Sequence, residues 1–341
     1  MSRKPGITAG NVMTDTLVAF LSDPRSYADT PAQVEVRETH MSRVFLTDHY
    51  AYKLKKAVVM DFLDYSTPDI RRRHCEAEVR LNRRLAASIY LGVIPVCMTG
   101  SGRLQLGEPG KPIDWLVHMK RLPSHYLLDQ ALTDDNLTLS RLEPVIQLLT
   151  RFYRESPTVQ SDGDSYATTL REQIHDNVAA IRELGEEAIQ QRVDRIAGEL
   201  TQFINSEHKL LSDRARRIVD GHGDLRPDHV YFGKPAAVID CIEFNRDFRL
   251  NDPLDELAFL DMECRRQHND WIGAAFIESY CAICDDFAPP ALMAFYSGKR
   301  ALLRARLTLG HLADQPAEPE TWRRKAAGYL DLAWSDCKQL A

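Results

Sequence analysis

Residues 218–259 read IVDGHGDLRPDHVYFGKPAAVIDCIEFNRDFRLNDPLDELAF, and this stretch carries most of the functional information in the chain. Two short apolar runs, Val230-Tyr231-Phe232 and Ala237-Val238-Ile239, flank Gly233-Lys234-Pro235, a spacing that predicts a β-hairpin. Asp224 precedes that hairpin in a glycine-rich loop, and Asp240 ends its far strand. A hairpin brings its two ends together, so both carboxylates are expected to face one small volume. Acids held in this way suit metal-assisted transfer: one chelates Mg²⁺ on a polyphosphate, and the other orients or deprotonates an attacking hydroxyl. Taken singly, Asp224 reads equally well as a turn residue and Asp240 as a strand-end cap.

Working outward, 341 residues suffice for one large domain or two, with length for a real core. The composition, 44% hydrophobic and 27% charged, is that of an ordinary soluble globular protein. A net charge of −6 argues against a general nucleic-acid binder, which carries a basic excess. No run approaches 18 apolar residues and the first residues lack the apolar core of a signal peptide, so no membrane association is expected. The seven cysteines lack paired metal spacing, and Cys281-Ala-Ile-Cys284 sits in an apolar helical run that reads as core. A reducing cytoplasm is the expected compartment.

Along the chain, residues 1–11 read as frayed and Thr14 to Ser22 as a short amphipathic helix. From Val34 the segments VEVRETH, SRVFLTD and HYAYKLKKAVV predict successive antiparallel strands. Side chains alternate in the third, so Lys53 and Lys55 share a face with Ala51. Helix-start chemistry at Ser66-Thr67-Pro68-Asp69 precedes a helix over 71–85, with Arg71-Arg72-Arg73-His74 read as a solvated face. Leu91 to Met98 and Trp115 to Pro123 read as further strands. Beyond Asp134 the pattern is helical: 142–153, then 166–184 and 189–203 as an antiparallel pair joined at Gly185, and later 255–340. Lys299, Arg300, Arg304 and Arg306 are read as a mainly solvated face, with an anion-binding role as the alternative. Glu243, Asp247 and Asp252 read either as loop caps or as acids for a cationic acceptor.

The motifs His222-Gly223-Asp224-Leu225, the hairpin, Ile239-Asp240, and Asn251-Asp252-Pro253 through Asp255-Glu256-Leu257-Ala258 follow one another at close spacing. In these the chain resembles the aminoglycoside phosphotransferase family of the protein-kinase-like superfamily, which carries HGDLxxxN, a hairpin ending in I/V-D, then DPxxDLA. It is most similar to a bacterial branch of poorly defined substrate, whose members occur alone or fused to a nucleotide-binding domain. The resemblance covers most of the chain. It implies an α+β, two-lobed fold: a small antiparallel β-rich lobe over 1–119 and a larger, mostly helical lobe over 120–341, containing the helical pair at about 166–206 and the catalytic core at 218–259.

It also implies ATP-dependent phosphoryl transfer to a hydroxyl of a small-molecule acceptor. Asp224 would be the base and Asp240 the Mg²⁺ ligand. Ala51-Tyr52-Lys53 resembles the A-x-K of kinases, making Lys53 the lysine that grips the α- and β-phosphates, with Lys55 in reserve. Glu78, or else Glu76, would hold that lysine. Met119 would line the adenine pocket, and the backbone of Lys120 and Leu122 would bind adenine. Asp255 would accept N–H bonds from the catalytic loop. Two features depart from the pattern. Thr39-His40-Met41-Ser42-Arg43 replaces a glycine-rich phosphate loop, leaving Ser42 or backbone N–H groups for phosphate. His229 stands where the family has Asn, so the protein either uses one Mg²⁺, substitutes Asp228, or takes Mn²⁺ through the softer imidazole nitrogen. These departures keep open a nucleotide-binding pseudokinase that regulates a partner without turnover. A protein kinase is disfavoured, because the span from Asp240 to Asp252 is too short for an activation loop.

Overall fold

The alternating segments after Val34 form strands because β-branched and aromatic side chains there fit a pleated, half-buried surface. The computed structural model describes residues 9–60, 62–134, 136–287 and 289–340; the expected fraying at 1–8 lies outside them, while 9–11 belong to the first helix. The chain divides into two units, one running to Ser124 and including Glu243–Asn245, the other comprising His125–Ile242 and the residues from Arg246.

The first unit contains α1 (Ala9–Ser22), β1 (Glu35–Glu38), β2 (Ser42–Leu46), β3 (Tyr50–Lys55), β4 (Val59–Met60), β5 (Leu63–Asp64), α2 (Pro68–Ala86), β6 (Tyr90–Met98), β7 (Leu104–Leu106) and β8 (Lys111–Lys120). Six strands form an antiparallel sheet in the order β1-β2-β3-β8-β6-β7. Strand β7 was not legible: three residues between two glycine turns are too few to display a period. The period of two in β3 divides its side chains. Tyr52 and Leu54 join Leu17, Leu21, Tyr27, Phe45, Val96 and Leu116 in a core beneath α1. Lys53 and Lys55 go to the opposite face, toward α2.

Helix α2 starts where Thr67 accepts the N–H of Ile70 at 3.3 Å and Pro68 takes the first turn. It buries Cys75, Val79, Leu81 and Leu85, each large apolar side chain contributing about 1.5–3 kcal/mol. The solvated-face reading of 71–74 holds for Arg72 and Arg73 but fails for Arg71. That guanidinium is buried and grips both oxygens of Asp114 on β8, at 2.9 and 2.7 Å.

The second unit contains α3 (Leu128–Ala131), α4 (Leu139–Glu155), α5 (Gly163–Glu183), α6 (Glu187–Ser206), α7 (His208–Arg214), β9 (Val219–Asp220), β10 (Val230–Tyr231), β11 (Ala237–Val238), β12 (Leu250–Asn251), α8 (Pro253–Arg265), α9 (Asp270–Cys284), α10 (Pro290–Gly310) and α11 (Pro319–Cys337). Gly185 turns α5 into α6 at φ +72°, a conformation that a Cβ would strain. The stripes Leu170, Ile174, Val178, Ile181 and Val193, Ile196, Leu200, Phe203 are buried, and Phe203 stacks on Phe295 of α10 at 4.8 Å. On α10 the expectation of a mainly solvated basic face is corrected: Lys299 and Arg300 are buried on Asp255. Among the described residues no helix is long and apolar enough to cross a membrane.

Candidate active site

The hairpin forms as expected, with Val230 opposite Val238 and Tyr231 opposite Ala237. What the sequence did not reveal is how tightly the loop before it is strapped. Strand β9 pairs with β12, and Gly221 donates its N–H to Arg249 O at 2.8 Å. The buried Glu256 carboxylate then accepts the N–H of His222 at 2.9 Å, the N–H of Gly223, and the Tyr153 hydroxyl at 2.7 Å. Glu256 therefore does what was expected of Asp255. The two adjoin in the first turn of α8, where successive side chains diverge by about 100°. Asp255 points instead to α10, meeting Lys299 at 2.7 Å and Arg300 at 2.9 Å. Two glycines make this packing possible. A Cβ on Gly221 would overlap the Glu256 carboxylate, and Gly223 sits at φ +88°.

His222 links the loop to the far end of the hairpin. Its Nε2–H donates to Ile239 O at 2.8 Å, its Nδ1 accepts the N–H of Asp224 at 3.3 Å, and its carbonyl accepts from Ile242 N at 3.1 Å. Burial above all, then the neighbouring His229, pushes this imidazole down to about 4, so it is neutral in its donor–acceptor role. The loop carrying Asp224 and the strand end carrying Asp240 are thus one hydrogen-bonded assembly.

Both acids stay open to solvent, Asp224 with 30% and Asp240 with 45% of the side chain exposed. Burial pushes the Asp224 carboxyl up, but Arg226, then His229 and Arg304, outweigh it and hold the group below the usual carboxylate range. Arg226 Nε donates to Asp224 at 3.0 Å, and its other end lies 3.1 Å from Asp228. Asp240 has φ +62°, a left-handed conformation that Asp tolerates better than most residues.

His229 lies between the two acids. Its Nδ1 is 3.7 Å from an Asp224 oxygen and its Nε2 is 3.6 Å from an Asp240 oxygen. The ring nitrogens are engaged within the protein, Nδ1–H donating to Asp224 O at 2.7 Å and Nε2 facing Arg226 at 3.2 Å. A metal on Nε2 would have to displace that guanidinium. Among the described residues no three His, Cys, Asp or Glu side chains are grouped to cage a metal. Mg²⁺ on a nucleotide needs only one or two carboxylates beside phosphate and water oxygens. Asp240, with Asp228 also 3.6 Å from His229 Nε2, offers a donor set of that kind.

In the first unit, Glu78 is fully buried on α2 and takes both lysines, Lys53 at 2.9 Å on one oxygen and Lys55 on the other. Lys55 is 2% exposed and also meets Glu243, which accepts the Tyr65 hydroxyl. Burial works against the ammonium, yet Glu243 and Glu78 prevail and raise it well above the ordinary lysine value. The Lys53 side chain is 15% exposed. Glu76 is exposed and pairs with Arg72 at 2.9 Å. Glu243, read as a loop cap or an acid for a cationic acceptor, is instead the second counter-ion of Lys55.

Met119 lies beside Ala51 in the β3–β8 ladder. The N–H of Lys120 donates to Ile89 O at 3.0 Å, so an adenine contact by that residue would rest on its carbonyl; Leu122 follows, half-buried. The Ser42 hydroxyl is buried and hydrogen-bonded to Thr39 at 2.9 Å. Cys281 and Cys284 are free thiols that burial pushes up, away from reactivity.

No family model matches the chain. Over 293 residues it is 32% identical to uncharacterised proteins of Mycobacterium tuberculosis and Mycobacterium bovis, an alignment covering 84% of this chain and 56% of each relative. The chain therefore spans about half the length of the curated relatives it matches. Among solved structures it is similar to a choline/ethanolamine kinase family protein from Mesorhizobium loti, with a TM-score of 0.51, 15% identity, and 96% and 94% of the two chains covered. It is similar also to a glucosamine kinase, with a TM-score of 0.50, 14% identity, and 99% and 83% covered. Likeness at such identities establishes fold, and the fold is protein-kinase-like.

Proposed function

We propose that the protein transfers the γ-phosphate of ATP to a hydroxyl of a small-molecule acceptor. The observation that carries this reading is the strapped loop: two solvent-open acids, Asp224 and Asp240, flank one buried imidazole within 3.7 Å. Phosphoryl transfer asks the protein for position and charge more than for covalent chemistry. Asp224, ionised at neutral pH, accepts the hydrogen bond of the acceptor hydroxyl and takes its proton late in transfer. Asp240 holds the metal, with Asp228 as a candidate second ligand. Bound Mg²⁺ supplies charge neutralisation at the β- and γ-phosphate oxygens. Lys53, positioned by Glu78, binds the α- and β-phosphates, while Lys55 is saturated by its two carboxylates and sets the position of Glu78. The structural neighbours, a choline/ethanolamine kinase family protein and a glucosamine kinase, support the same class of reaction.

The experiment is ADP release across a panel of hydroxyl compounds, with wild type and Asp224→Ala. We expect acceptor-dependent ADP release in wild type, a loss of at least about 10²-fold in the variant, as for removal of a general base, and ATP binding nearly unchanged. Turnover that survives the substitution removes Asp224 as the base. A second reading, a nucleotide-binding protein without turnover, is favoured by His229, whose nitrogens are engaged where the resembling family offers an oxygen. It predicts ATP binding with no acceptor-dependent ADP release from any compound.

A further inference from the structure

Around Glu263 the side chains carry an excess of positive charge. Glu263, near the end of α8, is buried and receives Arg304 of α10 at 2.8 Å, Arg266 at 3.1 Å and the Tyr329 hydroxyl of α11 at 2.9 Å. The guanidiniums of Arg266 and Arg304 lie over the Tyr329 ring, 5.1 and 5.4 Å from its centroid. Lys325, one helical turn before Tyr329, is exposed and rests 5.7 Å from the Trp322 ring. Among the described residues no carboxylate lies within ion-pair distance of Lys325. Two guanidiniums therefore share one carboxylate, which the Tyr329 hydroxyl also occupies, and the Lys325 ammonium stands near them with no carboxylate of its own.

The charge of this group is felt at the base. Arg304 is one of the charges that hold Asp224 ionised, after Arg226 and His229, and Arg226 and Arg304 feel each other's charge. Arg304 and Arg266 keep 16% and 29% of their side chains exposed, so the charge is enclosed enough to act strongly and open enough to be met. The other basic residues of α10 are committed elsewhere: Lys299 and Arg300 to Asp255, Arg306 to Asn177 at 3.1 Å. Two of the three acids that could have suited a cationic acceptor are also committed. Asp252 is fully buried against Arg214, and Glu243 pairs with Lys55.

We infer that the acceptor is an anionic alcohol, a compound bearing a carboxylate or phosphate besides the hydroxyl, and that Arg304, Arg266 and Lys325 receive its charge. The inference rests on the phosphotransferase reading for the hydroxyl but not for the anion. A guanidinium pair forks onto either kind of oxyanion, and an adjacent ammonium adds a point charge. Arg226 then orients Asp224 beside the hydroxyl while the second anchor fixes the rest of the molecule.

The test is titration calorimetry with ADP and Mg²⁺ present, using glycerol against glycerate and glycerol 3-phosphate, glucose against gluconate, and choline and glucosamine as cations. Wild type, Arg304→Gln and Lys325→Glu are compared, each checked for folding by its thermal transition. The expected result is that anionic members bind at least ten-fold tighter than their neutral counterparts. Arg304→Gln removes most of that preference. Lys325→Glu lowers it several-fold and, being a surface change, keeps the test valid if the arginine variant unfolds. The glycerate and glycerol 3-phosphate arms separate a carboxylate from a phosphate ligand. Equal or tighter binding of neutral or cationic compounds, no charge-dependent binding at all, or an anion preference untouched in the folded variants overturns the inference. Because binding is read without turnover, an anion preference with no ADP release would defeat the phosphotransferase reading alone. Turnover of choline or glucosamine in preference to the anions would do the reverse.

Discussion

The second unit holds two groups of acids, and they differ in how deeply they are buried. Asp252, Asp255 and Glu256, at the start of α8, are 0–1% exposed, and each is ringed by fixed donors. Asp252 meets Arg214 through both oxygens and caps Leu254; Asp255 meets Lys299 and Arg300; Glu256 meets two backbone N–H groups and Tyr153. Asp224 and Asp240, only a short chain distance away, keep 30% and 45% exposure. The first group is framework, since a buried carboxylate persists only where its lone pairs are satisfied. The second group keeps part of its surface open to solvent, where an incoming ligand can meet it. Their difference separates the acids that build the loop from those the loop presents.

The largest effect on the framework side is expected from Asp255→Ala. It strands Lys299 and Arg300 without their counter-ion, and loss of one partner from such a buried group costs about 3–5 kcal/mol. Denaturant unfolding measures this directly. A cost below about 1 kcal/mol would place Asp255 with the presented acids.

A somewhat smaller effect concerns pH. His222 titrates at about 4 in the folded chain against 6.5 for an ordinary histidine, so the unfolded chain binds a proton across that window and the folded one does not. Its contribution is fully present above pH 6.5 and is lost as pH falls from 6.5 to 4, about 3 kcal/mol in all. Stability measured from pH 7 to pH 4 should fall more steeply in wild type than in His222→Gln. Equal slopes would mean that His222 is not the neutral clamp between the two loops.

The smallest effect separates two glutamates of α2. Glu76→Gln removes an exposed i,i+4 pair with Arg72 and should change stability by no more than about 0.5 kcal/mol, with nucleotide affinity unchanged. A ten-fold loss of ATP affinity in that variant would transfer the lysine-positioning role away from Glu78.

The sequence was most informative where local pattern and local structure coincide. The hairpin at 230–238, the three strands after Val34, the helix capped by Thr67 and the helical pair about Gly185 all follow from period, turn residues and caps. It was least informative where two side chains meet from distant positions. Arg71 reaches Asp114 across 43 residues, and Lys55 reaches Glu243 across 188. Nothing local distinguishes those charges from solvated ones. The exchange of roles between Asp255 and Glu256 has the same origin: adjacent acids in a helical turn look alike until α10 supplies Lys299 and Arg300 on one side only.

The central claim, that Asp240 is a presented acid holding the metal of a bound nucleotide, is tested most directly by thermal shift with ATP and Mg²⁺ or Mn²⁺ on wild type and Asp240→Ala. A ligand that binds only the folded state stabilises it by about 2.7 kcal/mol at a hundred-fold excess over Kd. We predict a metal-dependent rise in Tm in wild type that disappears in Asp240→Ala, each protein being compared with its own ligand-free Tm, because Ala is less well tolerated than Asp at φ +62°. No shift with any nucleotide, or a shift that Asp240→Ala leaves intact, would contradict the account.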